Sequence, residues 1–375
     1  MDFILAERRS PTLHDFPYRG PARKCYHKWI INVTPPGKAH CIHGCLYCYA
    51  RDAVYSRSSD RCMRVYGNLS QVVERELSAL ELCPPVSISN VTDPCQAVPE
   101  LRRVVRELVE VLVRWGVSFH LITKGDPSFL DAVEGFPGGG FFFLEVTIEG
   151  PPEVLRLLSP AAPPYKRRLE ALAWAASRGL PAVLRLDPFV PHVWRALYGP
   201  GWKERLEGLL RDASLSGARH VVSSTGRFTA ATRKALADAV AAHSEHEARS
   251  LLEDYRFDRS ATSSGYMLPP AGRLDFHRLA GSVSGRLGMT YAVCQELPSS
   301  AADSPDLPHC EAFPMPFSRR TGPEEFSPVE GCTANCHVSC AGLDDPPCGR
   351  PGLARPDPFT PSMLKPQRQK GKEAP

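Results

Sequence analysis

The sequence predicts an α/β fold built on a parallel sheet, and two observations lead there. Six apolar runs rich in β-branched and aromatic residues are nearly continuous instead of alternating, as strands covered on both faces require. Between them lie segments whose apolar residues recur at helical spacing. Strand–helix alternation repeated in this way demands parallel pairing and right-handed crossovers. Six such units make either an open doubly wound sheet or a barrel lacking two units, and composition does not choose between them.

The strands, in order, are WIINVTP (29–35), PVSISNVT (85–92), SFHLITK (118–124), FFFLEVTI (141–148), AVLRLDPF (182–189) and HVVSSTG (220–226). The segment 68–82 offers Val72, Val73, Leu77 and Leu80 to one side of a helix. The segments 100–116 and 164–179 end at Gly116 and Gly179, natural residues to follow a helix terminus, and 229–243 begins after Thr229, a capping residue. Polar residues gather where the strands end: Thr34, Thr92, Asp93, Thr123, Lys124, Thr147, Glu149, Arg185 and Asp187. In both candidate architectures functional groups collect at that edge. Beyond residue 250 the alternation dissolves into one helix at 277–288 and Pro-rich loops. The domain reading is therefore an N-terminal extension (1–28), the repeated core (29–250), a C-terminal extension (251–350) and a disordered basic tail (351–375).

Composition narrows the class. A chain of 375 residues, 43% hydrophobic and 23% charged, buries a large core. The longest apolar run, around 141–148, is far too short to span a bilayer, and Glu7, Arg8 and Arg9 interrupt any signal-like start. The expectation is a cytoplasmic protein without membrane contact. The net charge of +4 permits contact with nucleic acid without arguing for it. Thirteen cysteines fall in two groups, seven before residue 100 and six after residue 290, which suits reduced, metal-binding thiols better than a disulfide scaffold.

The first group contains HCIHGCLYC (40–48), with Cys41, Cys45 and Cys48 on the loop after the first strand. Structural zinc takes four ligands. Three thiolates instead hold three irons of a [4Fe–4S] cube and leave the fourth iron open to a small molecule. A Cys3His zinc site using His40, His43 or a remote cysteine is the competing reading, and such sites usually pair CxxC units.

This triplet, with Tyr47 before its last cysteine, resembles the signature of radical S-adenosylmethionine (SAM) enzymes. The fuller string CIHGCLYCYAR, with TDP (92–94) and ITK (122–124), resembles the spore photoproduct lyase-like branch, whose members are often labelled DNA repair photolyases. The likeness spans about residues 25–295. It implies a partial (β/α)6 TIM-type barrel and a [4Fe–4S] cluster whose open iron binds the amino and carboxylate groups of SAM. It implies reductive cleavage of SAM and hydrogen abstraction by the resulting 5′-deoxyadenosyl radical. It implies an electron donor such as a flavodoxin or ferredoxin. By the same likeness Tyr47 approaches the adenine, Thr92 and Lys124 contact the SAM carboxylate, and Thr147, Glu149 and Arg185 serve the ribose and amino-acid portions. Arg185 inside LRLDP has a purely structural alternative, an ion pair with Asp187. Spore photoproduct lyases place a hydrogen-donating cysteine near the end of strand two. The matching position here is Asn90, and Cys95 lies after the Thr–Asp pair, which weakens the case for thymine-dimer repair by that donor. Cys95 is the hydrogen-donor candidate, and a packed thiol is the bland alternative.

The second group, Cys294, Cys310, Cys332, Cys336, Cys340 and Cys348, lies in loops and predicts an auxiliary [4Fe–4S] cluster or zinc. Cys294, Cys332, Cys336 and Cys340 are the expected ligands, with Cys310, Cys348 and His337 as substitutes. The leading function is a radical SAM enzyme with nucleic acid among its candidate substrates. The alternatives are radical chemistry on a peptide or small metabolite, and a non-catalytic, metal-stabilised nucleic-acid-binding protein.

Overall fold

The computed structural model describes residues 2–17, 23–51, 56, 60–138, 140–259, 265–298, 301–307, 313 and 315–367. Seven strands form one parallel sheet: β1 (Trp29–Ile31), β2 (Val86–Ile88), β3 (Phe119–Thr123), β4 (Phe142–Thr147), β5 (Ala182–Leu186), β6 (Ala218–Ser223) and β7 (Thr290–Val293). Neighbours across the sheet follow chain order from β1 to β7 without a reversal. A doubly wound sheet needs such a reversal, so the winding is that of a partial barrel. The six expected strands are all present. The seventh, unforeseen, extends the barrel to residue 293 and brings Cys294 to a strand end.

Helices α1 (Leu69–Ser78), α2 (Pro99–Arg114), α3 (Pro152–Leu158), α4 (Tyr165–Ser177), α5 (Pro191–Tyr198), α6 (Trp202–Leu215), α7 (Ala230–Ala241), α8 (Glu245–Asp254) and α9 (Pro270–Arg286) follow in order. Leu101, Val104, Val105, Leu108, Val109 and Leu112 of α2 are fully buried, the stripe that its spacing predicts. The Thr229 side chain accepts from the Thr232 N–H and caps α7. Among the described residues no helix is long and apolar enough to cross a membrane.

Parallel register places the inward side chains of each level side by side. Ser87, His120 and Phe143 share one level, and Thr147 and Arg185 share a later one. A polar string runs up this interior. The Tyr26 hydroxyl lies 3.3 Å from His120 Nδ1, Ser87 Oγ lies 2.7 Å from His120 Nε2, and Glu145 Oε2 accepts from Arg185 at 2.7 Å. Phe313 packs its ring against Phe143 and His220 and plugs the end where the strands begin.

The part of each chain extension nearest His27 and Ser318 gathers at that N-terminal end. A short antiparallel pair, Ser318–Gly322 with Glu325–Pro328, adds to Leu82–Cys83 just before β2, and Phe326 stacks on Trp115 just before β3. Residues 351–367, expected to be disordered, pack instead. Leu353, Phe359 and Leu364 are buried, and His27 Nε2 lies 2.9 Å from the Leu353 carbonyl oxygen. Three apolar side chains spaced along this stretch supply the burial that composition alone undervalues. The polar remainder of the expected tail, 368–375, lies outside the described residues, as does Cys310.

Candidate active site

The cysteine loop sits at the opposite end, where the strands finish. It is held by backbone hydrogen bonds from both sides. The Ile42 N–H donates to Gln96 Oε1 at 2.7 Å, and the Leu46 N–H donates to the Leu158 carbonyl at 2.9 Å. Gly44 has φ of +63°, a left-handed turn that reverses the loop between Cys41 and Cys45 and that a side chain would strain. Burial pushes the Cys41 thiol up to about 12, helped by Asp93, and the Cys45 thiol to about 11 against the pull of Lys124. Cys45 interacts electrostatically with both Cys41 and Cys48, so the three sulfurs share one neighbourhood.

Among the described residues no three Cys, His, Asp or Glu side chains converge as ligands of one metal ion must. A tetrahedral ion at about 2.3 Å from each sulfur holds its thiolates only ~3.8 Å apart. A cube holds each thiolate on a different iron and needs a wider spread. The triplet supplies three thiols for three corners of such a cluster. His40 and His43 are occupied elsewhere and buried: His40 Nε2 lies 3.2 Å from Asp60, and His43 Nε2 lies 3.0 Å from Asp93.

Asp93 is the hub beneath the loop. Its carboxylate accepts from Thr123 Oγ1 at 2.6 Å, the Lys124 N–H at 2.5 Å and the Cys95 N–H at 2.8 Å, besides His43. Burial raises its pKa, but His43 and these donors outweigh that and hold the carboxyl well below its ordinary value. Gly125 passes so close that a Cβ there would lie 2.2 Å from the Cys95 carbonyl oxygen. Cys95 itself is fully buried beside Thr123, with no face open to the mouth.

The other expected residues divide. Tyr47, Lys124 and Glu149 meet: the Tyr47 hydroxyl donates to Glu149, Lys124 Nζ lies 3.7 Å from Glu149 Oε1 and 5.6 Å from the Tyr47 ring centre. Burial lowers the affinity of Lys124 for its proton, yet Cys45 and Glu149 hold it above the ordinary lysine value. Its side chain keeps 15% of its surface exposed, while Glu149 keeps none. Thr92 Oγ1 lies 2.6 Å from Thr34 Oγ1, and the Thr147 carbonyl accepts from Arg168 at 3.0 Å. Arg185 pairs with Asp187 at 2.5 Å, as its structural reading anticipated, and also with Glu145. Cys294 is close enough to Arg185 to reinforce its charge, so it belongs to the barrel mouth and not to the distal cysteines.

Two residues escaped sequence reasoning. Arg168 of α4 is fully buried, donates to Glu149 and Ser159, and fixes the carboxylate that Tyr47 and Lys124 share. In KRRLE it reads as one of three interchangeable surface cations. Glu145 left a legible signal, a lone acid inside the otherwise apolar FFFLEV run.

Comparison with known proteins agrees with this geometry. No family model matches the sequence. A protein of Pseudomonas phage M6, named a radical SAM Nalpha-GlyT isomerase, is 21% identical over 346 residues, covering 88% of this chain and 69% of its own length. A variant of spore photoproduct lyase superposes with TM-score 0.54 at 14% identity, covering 78% of this chain and 81% of that one. Another variant, with bound AdoMet and dinucleoside spore photoproduct, gives TM-score 0.54 at 15% identity over the same shares. The chain thus shares the fold of spore photoproduct lyase and is similar over most of its length to a phage protein named as a radical SAM isomerase.

Proposed function

We propose that Cys41, Cys45 and Cys48 hold a [4Fe–4S] cluster that cleaves SAM, and that the enzyme abstracts hydrogen from a substrate of the nucleic-acid class. One observation carries the cofactor half: Tyr47, inside the cysteine triplet, meets Lys124 and Glu149 at the barrel mouth. When bound there, the cluster supplies the electron that splits the C5′–S bond of SAM and so makes the 5′-deoxyadenosyl radical.

The chain's own residues hold and orient. The Lys124 ammonium, partly exposed and backed by Glu149, suits the SAM carboxylate. Tyr47 lends its backbone to the adenine while its hydroxyl is tied to Glu149. Thr92, tied to Thr34, sits at the end of the second strand to serve the same carboxylate. Glu149 and Thr147 border the ribose side. The Arg185 set offers two carboxylates against one guanidinium, which suits a cationic group better than an anionic one. A donor role for Cys95 requires its turn to open, because the thiol is sealed in the resting fold.

The substrate half rests on the solved relatives, one of which holds a dinucleoside lesion in the same fold. The test is anaerobic reconstitution with iron, sulfide and a reductant, with a flavodoxin or ferredoxin as physiological donor. Incubation with SAM should yield 5′-deoxyadenosine, and thymidine-containing DNA or nucleosides should raise that yield, with deuterium from deuterated nucleoside appearing in the 5′-deoxyadenosine. A loaded protein that binds no SAM would end the cofactor reading. Stimulation by peptides instead of nucleosides would end the substrate reading alone.

A further inference from the structure

The second group of cysteines is rearranged by the fold. Cys294 has left it for the barrel mouth, and Cys348 takes its place beside Cys332, Cys336 and Cys340. One short segment touches both ends of the set: the Phe317 N–H donates to Cys332 Sγ, and Arg319 donates to the Cys348 carbonyl at 2.9 Å. Cys336, Cys340 and Cys348 are buried, and Cys332 is partly so. None of the four forms a disulfide.

The backbone is arranged around them. Cys336 and Cys340 lie one turn apart, with the Cys340 N–H donating to the Cys336 carbonyl at 3.0 Å. The Phe317 and Ala334 N–H groups both donate to Cys332 Sγ at 3.4 Å. Ala334 adopts φ of +54° to do so, a strained conformation for a residue with a side chain. The two amide donors hold the Cys332 sulfur in place. The loop before Cys332 abuts the one before Cys348, since a Cβ on Gly331 would lie 3.8 Å from Pro347.

We propose that Cys332, Cys336, Cys340 and Cys348 ligate a second, closed [4Fe–4S] cluster that staples the C-terminal extension beneath the barrel. Four ligands occupy all four irons, so no position remains for SAM or substrate. Position decides the role. His27, just before β1, donates its N–H to the Ala334 carbonyl at 3.1 Å, so the site lies at the end where strands begin. The triplet lies past the end where they finish, and a five-residue strand alone spans roughly 17 Å. The site is a fastener of the plug that carries Phe313, remote from the chemistry.

The inference is independent of the proposed substrate and cofactor, and the test separates them. The variant Cys41→Ala/Cys45→Ala/Cys48→Ala leaves the extension intact. Purified anaerobically as the full chain, it should retain about four irons and four sulfides, against about eight in the parent. Its reduced EPR signal should not respond to SAM. Iron falling to zero in a variant with native circular dichroism would overturn the proposal, as would one equivalent of zinc in place of iron. In the reverse variant, Cys336→Ser/Cys348→Ser, the remaining iron should stay SAM-responsive while the melting temperature falls. Should that protein fail to fold, the triplet variant still decides.

Discussion

Replacing Arg168 by leucine tests the buried network beneath Tyr47 and Lys124. Arg168 and Glu149 are both fully buried, and Arg168 also satisfies Ser159 and the Pro163 and Thr147 carbonyls. Removing one partner of such a pair costs about 3–5 kcal/mol, because the other charge stays buried. Unfolding entropy of about 2.1 cal/mol/K per residue gives ~0.8 kcal/mol/K for a chain of this length, so Arg168→Leu should lower Tm by about 4–6 °C. The double variant Arg168→Leu/Glu149→Leu removes both charges and should recover at least half of that loss. The pH dependence has a definite sign. In the parent, burial pushes the Glu149 carboxyl up, but Arg168, Lys124 and Tyr47 together hold it below its ordinary value. Its stabilisation is present above the unfolded carboxyl pKa of about 4.3 and fades as pH falls through the lower folded value. Without Arg168 the carboxyl takes up a proton more readily, so the gap between parent and variant should narrow from pH 8 towards pH 5. Thermal unfolding of parent, both singles and the double across that range measures it. Strictly additive losses in the double variant, or a gap that widens on acidification, would refute the reasoning.

Three further outcomes follow from the geometry. Lys124→Met should weaken SAM binding about 10–100-fold by equilibrium dialysis, the value of one hydrogen bond to a charged group, while iron content stays at the parent level; unchanged affinity would remove Lys124 from the site. Asp93→Asn should destabilise the fold by about 1–3 kcal/mol in urea, since the amide cannot accept from all four of the donors that now converge on Asp93. Cys95→Ala should leave 5′-deoxyadenosine production at the parent level, because the thiol is sealed; loss of product with retained SAM cleavage would instead make Cys95 the hydrogen donor.

What the sequence made legible depended on how local the signal was. Cys41, Cys45 and Cys48 lie within eight residues and carry their chemistry in their spacing, so the loop was readable before any fold was known. The six long strands announced themselves because strands buried on both faces are continuous apolar runs. The seventh, Thr290–Val293, is only four residues long and closely follows α9, so it merged with the Pro-rich loops expected after residue 288. Partnerships across the fold were the least legible. Arg168 stands 19 residues from Glu149, and Cys348 reaches Cys332 across a loop whose path no periodicity describes. Spacing did not exclude Cys294 from the distal set, but the sheet does: a residue directly after a barrel strand is delivered to the mouth, beside Arg185, whatever its neighbours in the chain. The same rule puts Cys45 at the mouth and the four distal thiols beneath it. The fold thus sets Cys45 and Cys294 at one end of the strands and Cys332, Cys336, Cys340 and Cys348 at the other, and that placement divides the triplet from the proposed fastener.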